Sequence, residues 1–410
     1  MSQKPISRSA DLTRLRNEGY DLEIRSDHLL VKDVPYLGAG RIVKRGILVM
    51  ALNLAADVTV KPGTHVAHFI GEFPRRADDT LIETIGNVSN TRTKLGEGVE
   101  INQTFSAKPM PSGAYENYYD KVTQYVTILS GYAQKIEPGV TAKTFRPVAA
   151  AGDEETVFKY IDTASTRAEI GVVTAKLATV QKIAIVGLGG TGSYVLDLVA
   201  KTPVREIHLF DGDDFLQHNS FRSPGAPSLD ELVAIPKKAA YLKGIYDKMR
   251  NGIFAHVDYI GPDNVDELRE MSFVFLCMEG TAKKFIVEKL EEFGLPLMDV
   301  GMGVYLSEGS LGGILRVTTS TPAQRDHLRK RMSFASDADR NEYATNIQIA
   351  DLNALNAALA VIKWKKLAGF YQDLDFEHHC TYTIGGNMLR NEDAPAAAAG
   401  QASGTQPGKR

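Results

Sequence analysis

The chain has 410 residues, 43% of them hydrophobic and 8% aromatic, which is enough for two globular domains with separate cores. Its formal net charge of -3 gives no overall basic field, so we expect neither nucleic acid nor an anionic membrane surface as a partner. Two cysteines are too few for a disulfide framework or a four-cysteine zinc site. No apolar run approaches the roughly 18 residues of a membrane span, and the first residues lack a signal-peptide core, so we expect a cytoplasmic protein.

Residues 1–150 predict a smaller α+β domain. Short β-type runs between about 20 and 105 alternate with glycine and proline breaks, as is typical of a small sheet. The next segment, 112–136, predicts a helix whose apolar stripe covers that sheet. The stripe consists of Tyr118, Val122, Tyr125, Leu129 and Tyr132, which recur at spacings of three and four.

The opening of this domain, residues 12–37, resembles prokaryotic ubiquitin-conjugating-like domains in its strand pattern. No cysteine precedes Cys277, so a domain of this kind is able to bind a modifier protein but not to carry it as a thioester. We interpret it as a partner- or substrate-recognition module.

A second domain is predicted at 160–390, after a proline-rich and charged boundary at 137–156. Its strands and helices alternate, which predicts an α/β fold with a Rossmann-like, doubly wound, mostly parallel sheet. The predicted strands "IAIV" and "FVFL" are apolar throughout, as expected where both faces of a sheet are buried. The tail at 391–410 lacks large apolar residues and is predicted to be disordered.

A glycine-rich loop follows the first strand of this domain, in "IAIVGLGGTGS". Gly187, Gly189 and Gly192 satisfy G-x-G-x-x-G between a strand and a helix, a spacing that suits a tight turn, a close approach to phosphate and close helix packing. We include Gly190 and Thr191 in the same phosphate site, since a helix N-terminus offers free N–H groups to an anion. Taken alone, the loop fits NAD, FAD or ATP.

The run "LFDGDDFLQHNSFR" favours ATP among these nucleotides. Asp211 ends the second strand, where an acid is able to bind ribose hydroxyls, and Asp213 completes a D-x-D pair. Asn219 and Arg222 follow eight and eleven residues after Asp211. An enzyme that cleaves ATP must neutralise charge on the departing pyrophosphate, which a dehydrogenase does not require.

The joint pattern G-x-G-G-x-G-S, D-x-D and N-x-x-R resembles the ThiF/MoeB/HesA family of adenylating enzymes, which are related to ubiquitin-activating enzymes. The resemblance covers about 165–385. It implies that Asp211 holds the ATP ribose and that Asn219 and Arg222 contact the triphosphate. It also implies a phosphate-binding lysine at the start of a helix, for which Lys237 and Lys238 are both candidates and Lys238 is preferred.

Two further assignments follow from this resemblance. Family members carry an aspartate near the magnesium ion just beyond the fourth strand, and Glu279 occupies that place here. Glutamate keeps an oxygen ligand suited to Mg²⁺. Related enzymes also receive an arginine from the partner subunit, about twenty residues before the first glycine, which implies a role for Arg167 and a homodimer.

The implied reaction is attack by a carboxylate on the α-phosphate of ATP, which forms an acyl-adenylate and releases pyrophosphate. The implied acceptor is a ubiquitin-like or other small protein with a C-terminal glycine, with a conjugating enzyme as a possible further partner. A carboxylate is already ionised at pH 7, so the site needs alignment and positive charge rather than a general base.

Two alternatives stay open at this point: an NAD(P)-dependent oxidoreductase on the same fold, and a nucleotide-binding adaptor that has lost catalysis. The sequence also leaves open whether a thioester forms after adenylation. The predicted crossover segment, 321–344, contains no cysteine, and we interpret Cys277 as a packed small residue.

Overall fold

The computed structural model describes residues 4–86, 92–150, 156–332 and 347–394. The chain forms two compact units. The first contains Met1–Asp153 with Ile161–Ala168, and the second contains Glu154–Tyr160 with Glu169–Arg410. The chain therefore crosses between the units more than once near the boundary: residues 154–160 belong to the second unit and residues 161–168 to the first. No helix of the described residues has the length and apolar character needed to cross a bilayer.

The first unit has an antiparallel five-stranded sheet in the order β1-β2-β3-β6-β9. Two small two-stranded sheets, β4 with β5 and β7 with β8, accompany it. The strands are β1 Leu22–Arg25, β2 His28–Leu37, β3 Val43–Ala51, β4 Leu54–Ala55, β5 Val58–Thr59, β6 Val66–Ile70, β7 Thr93–Gly96, β8 Val99–Ile101 and β9 Gln103–Ser106. The helices are α1 Lys4–Arg8, α2 Ala10–Asn17, α3 Tyr118–Ile136 and α4 Thr163–Arg167.

Helix α3 covers this sheet as its sequence pattern predicts. Asn117 caps the helix by accepting a hydrogen bond from the Asp120 N–H. The first four positions of the predicted stripe are buried, and Tyr132 packs against the same core while partly exposed. Lys121 is also fully buried, which the stripe did not predict.

The second unit has an eight-stranded sheet in the order β12-β11-β10-β13-β14-β15-β16-β17. Its first five strands are parallel and the remaining pairings are antiparallel. These strands are β10 Lys182–Val186, β11 Glu206–Phe210, β12 Ile253–His256, β13 Phe273–Leu276, β14 Leu297–Ser307, β15 Ser310–Ser320, β16 His379–Thr383 and β17 Met388–Glu392. The predicted α/β class with a doubly wound, mostly parallel sheet is confirmed.

Helices cover both faces of this sheet. The helices of this unit are α5 Gly171–Ala178, α6 Gly190–Ala200, α7 Gln217–Ser220, α8 Leu229–Val233, α9 Lys238–Tyr246, α10 Ala282–Glu292, α11 Leu328–Arg331 and α12 Ala350–Leu367. Residues of α6, α9 and α12 share one apolar core with alternate residues of β10 and β13. Residues of α10 and α11 share a second core with the intervening residues of those strands. Both faces of β10 and β13 are therefore buried, which explains their unbroken apolar sequences.

Strand β17 extends two residues past the start of the predicted tail at 391. Residues 395–410 of that predicted tail lie outside the described residues. Residues 333–344 of the predicted crossover segment also lie outside them.

Candidate active site

The glycine-rich loop connects β10 to α6 at the carboxyl end of the parallel strands. Gly187 has a φ of 89°, and a Cβ there would lie 2.8 Å from the Cys277 carbonyl oxygen. A Cβ at Gly192 would lie 1.9 Å from the Gly187 carbonyl oxygen, so α6 is able to approach the loop only with glycine at this position. Gly189 faces open space, with no atom within 4 Å of its Cβ position among the described residues. The loop therefore has a closed inner side and an open outer side.

Asp211 supports this loop from the end of β11. It is buried, and its Oδ2 accepts a hydrogen bond of 2.6 Å from the Leu188 N–H. Its Oδ1 accepts a second hydrogen bond, of 2.9 Å, from the Asp213 N–H. Asp211 thus ties the glycine loop to the D-x-D turn, in addition to the ribose contact that the sequence predicts for it.

The two candidate lysines differ in burial and in their partners. The Lys238 side chain is 7% exposed, and its Nζ lies 2.6 Å from Asp213 Oδ2 and 3.8 Å from Asp211 Oδ1. Lys237 is 46% exposed and pairs with Asp214 Oδ1 at 2.9 Å. Lys238 pairs with the two aspartates of the D-x-D turn, whereas Lys237 Nζ donates a hydrogen bond of 3.0 Å to the carbonyl oxygen of Gly212 between them.

The pKa of Asp213 is below its ordinary value. Burial alone would raise this pKa, but hydrogen bonds from Lys238 and the Tyr259 hydroxyl stabilise the carboxylate and outweigh burial. Asp213 is therefore ionised at neutral pH and holds Lys238 in place.

Asn219 and Arg222 lie on and directly after α7. Asn219 is buried, and its Oδ1 accepts a hydrogen bond of 2.8 Å from the Leu216 N–H, which leaves its Nδ2 group for other contacts. Arg222 Nε is buried without a hydrogen-bond partner among the described residues. Burial lowers the pKa of Arg222, although nearby Asp213 opposes this effect. An unpartnered buried guanidinium donor is costly, and a bound anion would remove the cost.

Asn353 joins the glycine loop to the Arg222 turn, a contact that the sequence analysis missed. This residue of α12 is fully buried and accepts a hydrogen bond of 3.0 Å from the Thr191 hydroxyl through Oδ1. Its Nδ2 donates to the Arg222 carbonyl at 3.2 Å and lies close to Gly190, where a Cβ would be 1.9 Å away. An asparagine within the buried stripe of an apolar helix is the sequence signal for such a contact.

Glu279 follows β13 and is a partly exposed neighbour of two fully buried charges, Lys283 and Asp299. Its Oε2 lies 3.7 Å from Lys283 Nζ, which in turn lies 2.5 Å from Asp299 Oδ1. Burial raises the pKa of Glu279, and the positive charge of Lys283 opposes this rise. The sequence pattern pointed to Glu279 but not to Lys283 or Asp299. The available signal for these two was a charged residue within an otherwise apolar helix stripe or strand, which is unusual in a protein core.

Arg167 lies on α4, which groups with the first unit. Its predicted role, as an arginine supplied by a partner subunit, stays a prediction. The two cysteines are not activated: burial raises the pKa of both thiols, that of Cys380 to about 11. Neither thiol is a ready nucleophile at neutral pH.

The described residues suit the phosphates of a nucleoside triphosphate. They do not form a metal site made of protein ligands alone. The open outer side of the glycine loop, the N-terminus of α6 and the unpartnered Arg222 Nε together suit phosphate. The described part of the chain contains no group of three or more His, Cys, Asp or Glu side chains able to hold a metal ion. A magnesium ion at Glu279 would therefore need phosphate and water oxygens for most of its coordination, which is usual for this ion.

Together, the sheet and the loop define a Rossmann-like α/β domain with a glycine-rich loop at the carboxyl end of its parallel strands. Residues 163–364 match the ThiF family and residues 10–163 match the DUF6791 family, a domain of unknown function. The chain thus contains a ThiF family domain preceded by a DUF6791 domain. Comparison with curated proteins finds no match.

Three solved structures illustrate the similarity to known folds. E. coli MccB with MccA-N7isoASN is 16% identical, with a TM-score of 0.45, and the match covers 55% of this chain and 66% of that one. E. coli MccB with ATP is 17% identical, with a TM-score of 0.44, and the match covers 55% and 67%. PaaA is 18% identical, with a TM-score of 0.42, and the match covers 54% and 75%. The chain thus spans about two thirds of the length of MccB.

Proposed function

We propose that this protein is an ATP-dependent adenylyltransferase that activates a carboxylate. The observation that carries the proposal is the meeting of the glycine loop, Asp211, Arg222 and Lys238 at one edge of a ThiF family domain. An edge of this kind, at the carboxyl ends of parallel strands, is where open α/β sheets bind ligands.

In the proposed reaction, a carboxylate oxygen of the acceptor forms a bond to the α-phosphorus of ATP. The bond from that phosphorus to the oxygen bridging to the β-phosphate breaks, and pyrophosphate leaves with the electron pair. No proton is transferred, so the reaction needs no general base. This agrees with a site built from the glycine loop, the Asn219 amide and the cations Arg222 and Lys238.

Each residue has a role in this proposal. Asp211 binds the ribose and fixes the loop, while Gly187, Gly189, Gly190, Thr191 and Gly192 provide the phosphate cradle. Asn219, Arg222 and Lys238 align the phosphates and balance the charge that develops on pyrophosphate. Asp213 positions Lys238, and Lys237 remains a solvent-facing neighbour. Mg²⁺, when bound at Glu279, would supply further positive charge to the phosphates.

The finer assignments extend the same proposal. The acceptor is the C-terminal glycine of a ubiquitin-like or other small protein, and the DUF6791 domain recognises that acceptor or a conjugating enzyme. The active form is a cytoplasmic homodimer in which Arg167 reaches the site of the partner subunit. The raised thiol pKa values argue against a thioester on Cys277 or Cys380.

Nucleotide binding tests the proposal against an oxidoreductase. Isothermal titration with a non-hydrolysable ATP analogue and with NAD should show binding of the ATP analogue alone. R222A should weaken binding of the analogue, because the phosphates then lose the guanidinium donor that Arg222 Nε provides. Tight NAD binding without ATP binding would overturn the proposal.

A further inference from the structure

Arg316 is a charged residue at the edge of the candidate site that the roles above do not use. It lies on β15, and its Nη2 donates a hydrogen bond of 3.3 Å to Asp299 Oδ2. Asp299 is fully buried and also pairs with the fully buried Lys283 through its other oxygen. Asp299 is thus shared by two cations, and Glu279, whose Oε2 lies 3.7 Å from Lys283 Nζ, is a second carboxylate beside them.

The guanidinium of Arg316 retains donors for a ligand. Its Nε is buried and has no hydrogen-bond partner among the described residues. Arginine carries five N–H donors in a planar fork, and a carboxylate matches two of them at once. A protein that buries such a donor without a partner bears a cost that an incoming carboxylate would remove.

Gly301 brings this guanidinium to the ligand-binding edge of the sheet. A Cβ at Gly301 would lie 2.5 Å from Arg316 Nη2, so the guanidinium lies directly against the backbone of β14. Gly301 is two residues past Asp299, the last residue of β14 that pairs with β13. The guanidinium therefore lies just beyond the carboxyl end of β13, on the side of Glu279.

The position across the sheet distinguishes the acceptor carboxylate from the ATP phosphates. Strand β14 is separated from β10, which carries the glycine loop, by β13. At the usual strand spacing, β14 is roughly 10 Å from β10. A carboxylate on Arg316 would approach phosphates in the glycine loop from the β14 side, while Arg222 and Lys238 belong to the β11 side.

The strand surface next to Arg316 has room for an extended chain. Gly303 lies on the same sheet face and has no atom within 4 Å of its Cβ position among the described residues. Ile314, its cross-strand neighbour, is 47% exposed. These residues offer a low, partly apolar surface that suits a flexible tail of small residues.

We propose that Arg316 binds the C-terminal carboxylate of the acceptor and aims it at the α-phosphate, with Asp299 and Lys283 as positioning residues beneath it. This assignment rests on the proposed adenylation function and specifies how that site selects a free carboxylate. It predicts that Arg316 affects the acceptor and not the nucleotide.

The test uses the full chain with a hexapeptide ending in Gly-Gly, and the same peptide as its C-terminal amide. Titration of each peptide into wild type saturated with a non-hydrolysable ATP analogue should show binding of the carboxylate form only. R316Q should weaken that binding by roughly tenfold or more, which is the loss expected for a charge-assisted bidentate contact. R316K should fall between R316Q and wild type, because lysine keeps the charge but loses the fork.

The matched control is R390Q. Arg390 lies on β17 in the same cross-strand row as Arg316, but its side chain is 68% exposed and pairs with Glu392. R390Q should bind the peptide as wild type does, and the affinity of R316Q for the ATP analogue should be unchanged.

The assignment of Arg316 would be overturned if wild type bound the acid and amide peptides equally or bound neither. It would also be overturned if R316Q bound the acid peptide as wild type does, or if R316Q lost as much affinity for the ATP analogue as for the peptide. A wild-type protein that fails to bind the ATP analogue would instead contradict the proposed function itself.

Discussion

Lys238 and Lys237 are adjacent in sequence and differ sharply in environment. Lys238 is buried against Asp213, whereas Lys237 faces solvent beside Asp214. We expect K238Q to weaken ATP binding by roughly tenfold to a hundredfold, as for the loss of a charged hydrogen bond, and K237Q to change it little. Titration of both variants with the ATP analogue measures the difference. Equal effects in the two variants would remove Lys238 from the site.

Single functional residues were easier to predict from the sequence when their partners were close to them in sequence. Asp211, Asn219 and Arg222 form a local pattern that is visible in the sequence itself. Asn353 was missed because its partners, Thr191 and Arg222, are 162 and 131 residues away. The sequence contains asparagine in an apolar helix pattern, but only the packing of α12 against α6 identifies what it binds.

At the scale of elements, the β10–α6 loop contains one glycine that packing requires, Gly192, and one that faces open space, Gly189. We expect G192A to lower both the melting temperature and the affinity for ATP, because its Cβ would collide with the Gly187 carbonyl. G189A should keep the melting temperature and lose affinity, because its Cβ would enter the open side where phosphates approach. Thermal melting and nucleotide titration measure the two effects. Normal ATP affinity in G189A would place the phosphates elsewhere.

Helix α3 carries a buried charge that its apolar periodicity did not reveal. Lys121 Nζ donates a hydrogen bond of 2.9 Å to the Thr64 carbonyl, and burial lowers the pKa of Lys121 from 10.5 to about 8. Periodicity identifies which face of a helix is buried, but it assigned the apolar residues alone to that face. Long side chains such as lysine are buried when a backbone acceptor is within reach, and sequence pattern does not show such acceptors.

This buried lysine predicts a pH dependence of stability. Below pH 8, Lys121 is charged in both the folded and unfolded states, and the cost of burying the charge is fully present. Between pH 8 and 10.5 the unfolded state binds more protons, so the free energy of unfolding should rise by up to about 3 kcal/mol. Urea unfolding of wild type and K121M at pH 7 and 10 should show this rise in wild type only. Parallel pH profiles would contradict the buried charge.

At the scale of the whole molecule, alternating strand and helix patterns were enough to predict the α/β unit and its mostly parallel sheet. They did not predict the order of the strands or the pairing of β14 with β15, since these depend on contacts between distant segments. Gly301 and Arg316 lie in separate apolar segments of the sequence, fifteen residues apart. The antiparallel pairing of β14 with β15 makes them direct cross-strand partners.

Assembly is tested by mixing two defective chains. If the protein is a homodimer in which Arg167 acts in the partner's site, co-expressed R167A and R222A chains form mixed dimers with one intact site. Random pairing makes half of the dimers mixed, so activity should return to about a quarter of the wild-type value. Each variant alone is the control and should be inactive. A co-expressed sample that stays inactive would rule out action between subunits.

Acceptor-dependent exchange of labelled pyrophosphate into ATP tests the central claim most directly. With the Gly-Gly peptide as acceptor, wild type should catalyse exchange, and the amide form of the peptide should not support it. R222A should reduce the rate by about 10² to 10³, as expected when a preorganised donor to developing charge is removed. Exchange that is unaffected by R222A, or no exchange in a protein that binds NAD tightly, would contradict adenylation at this site.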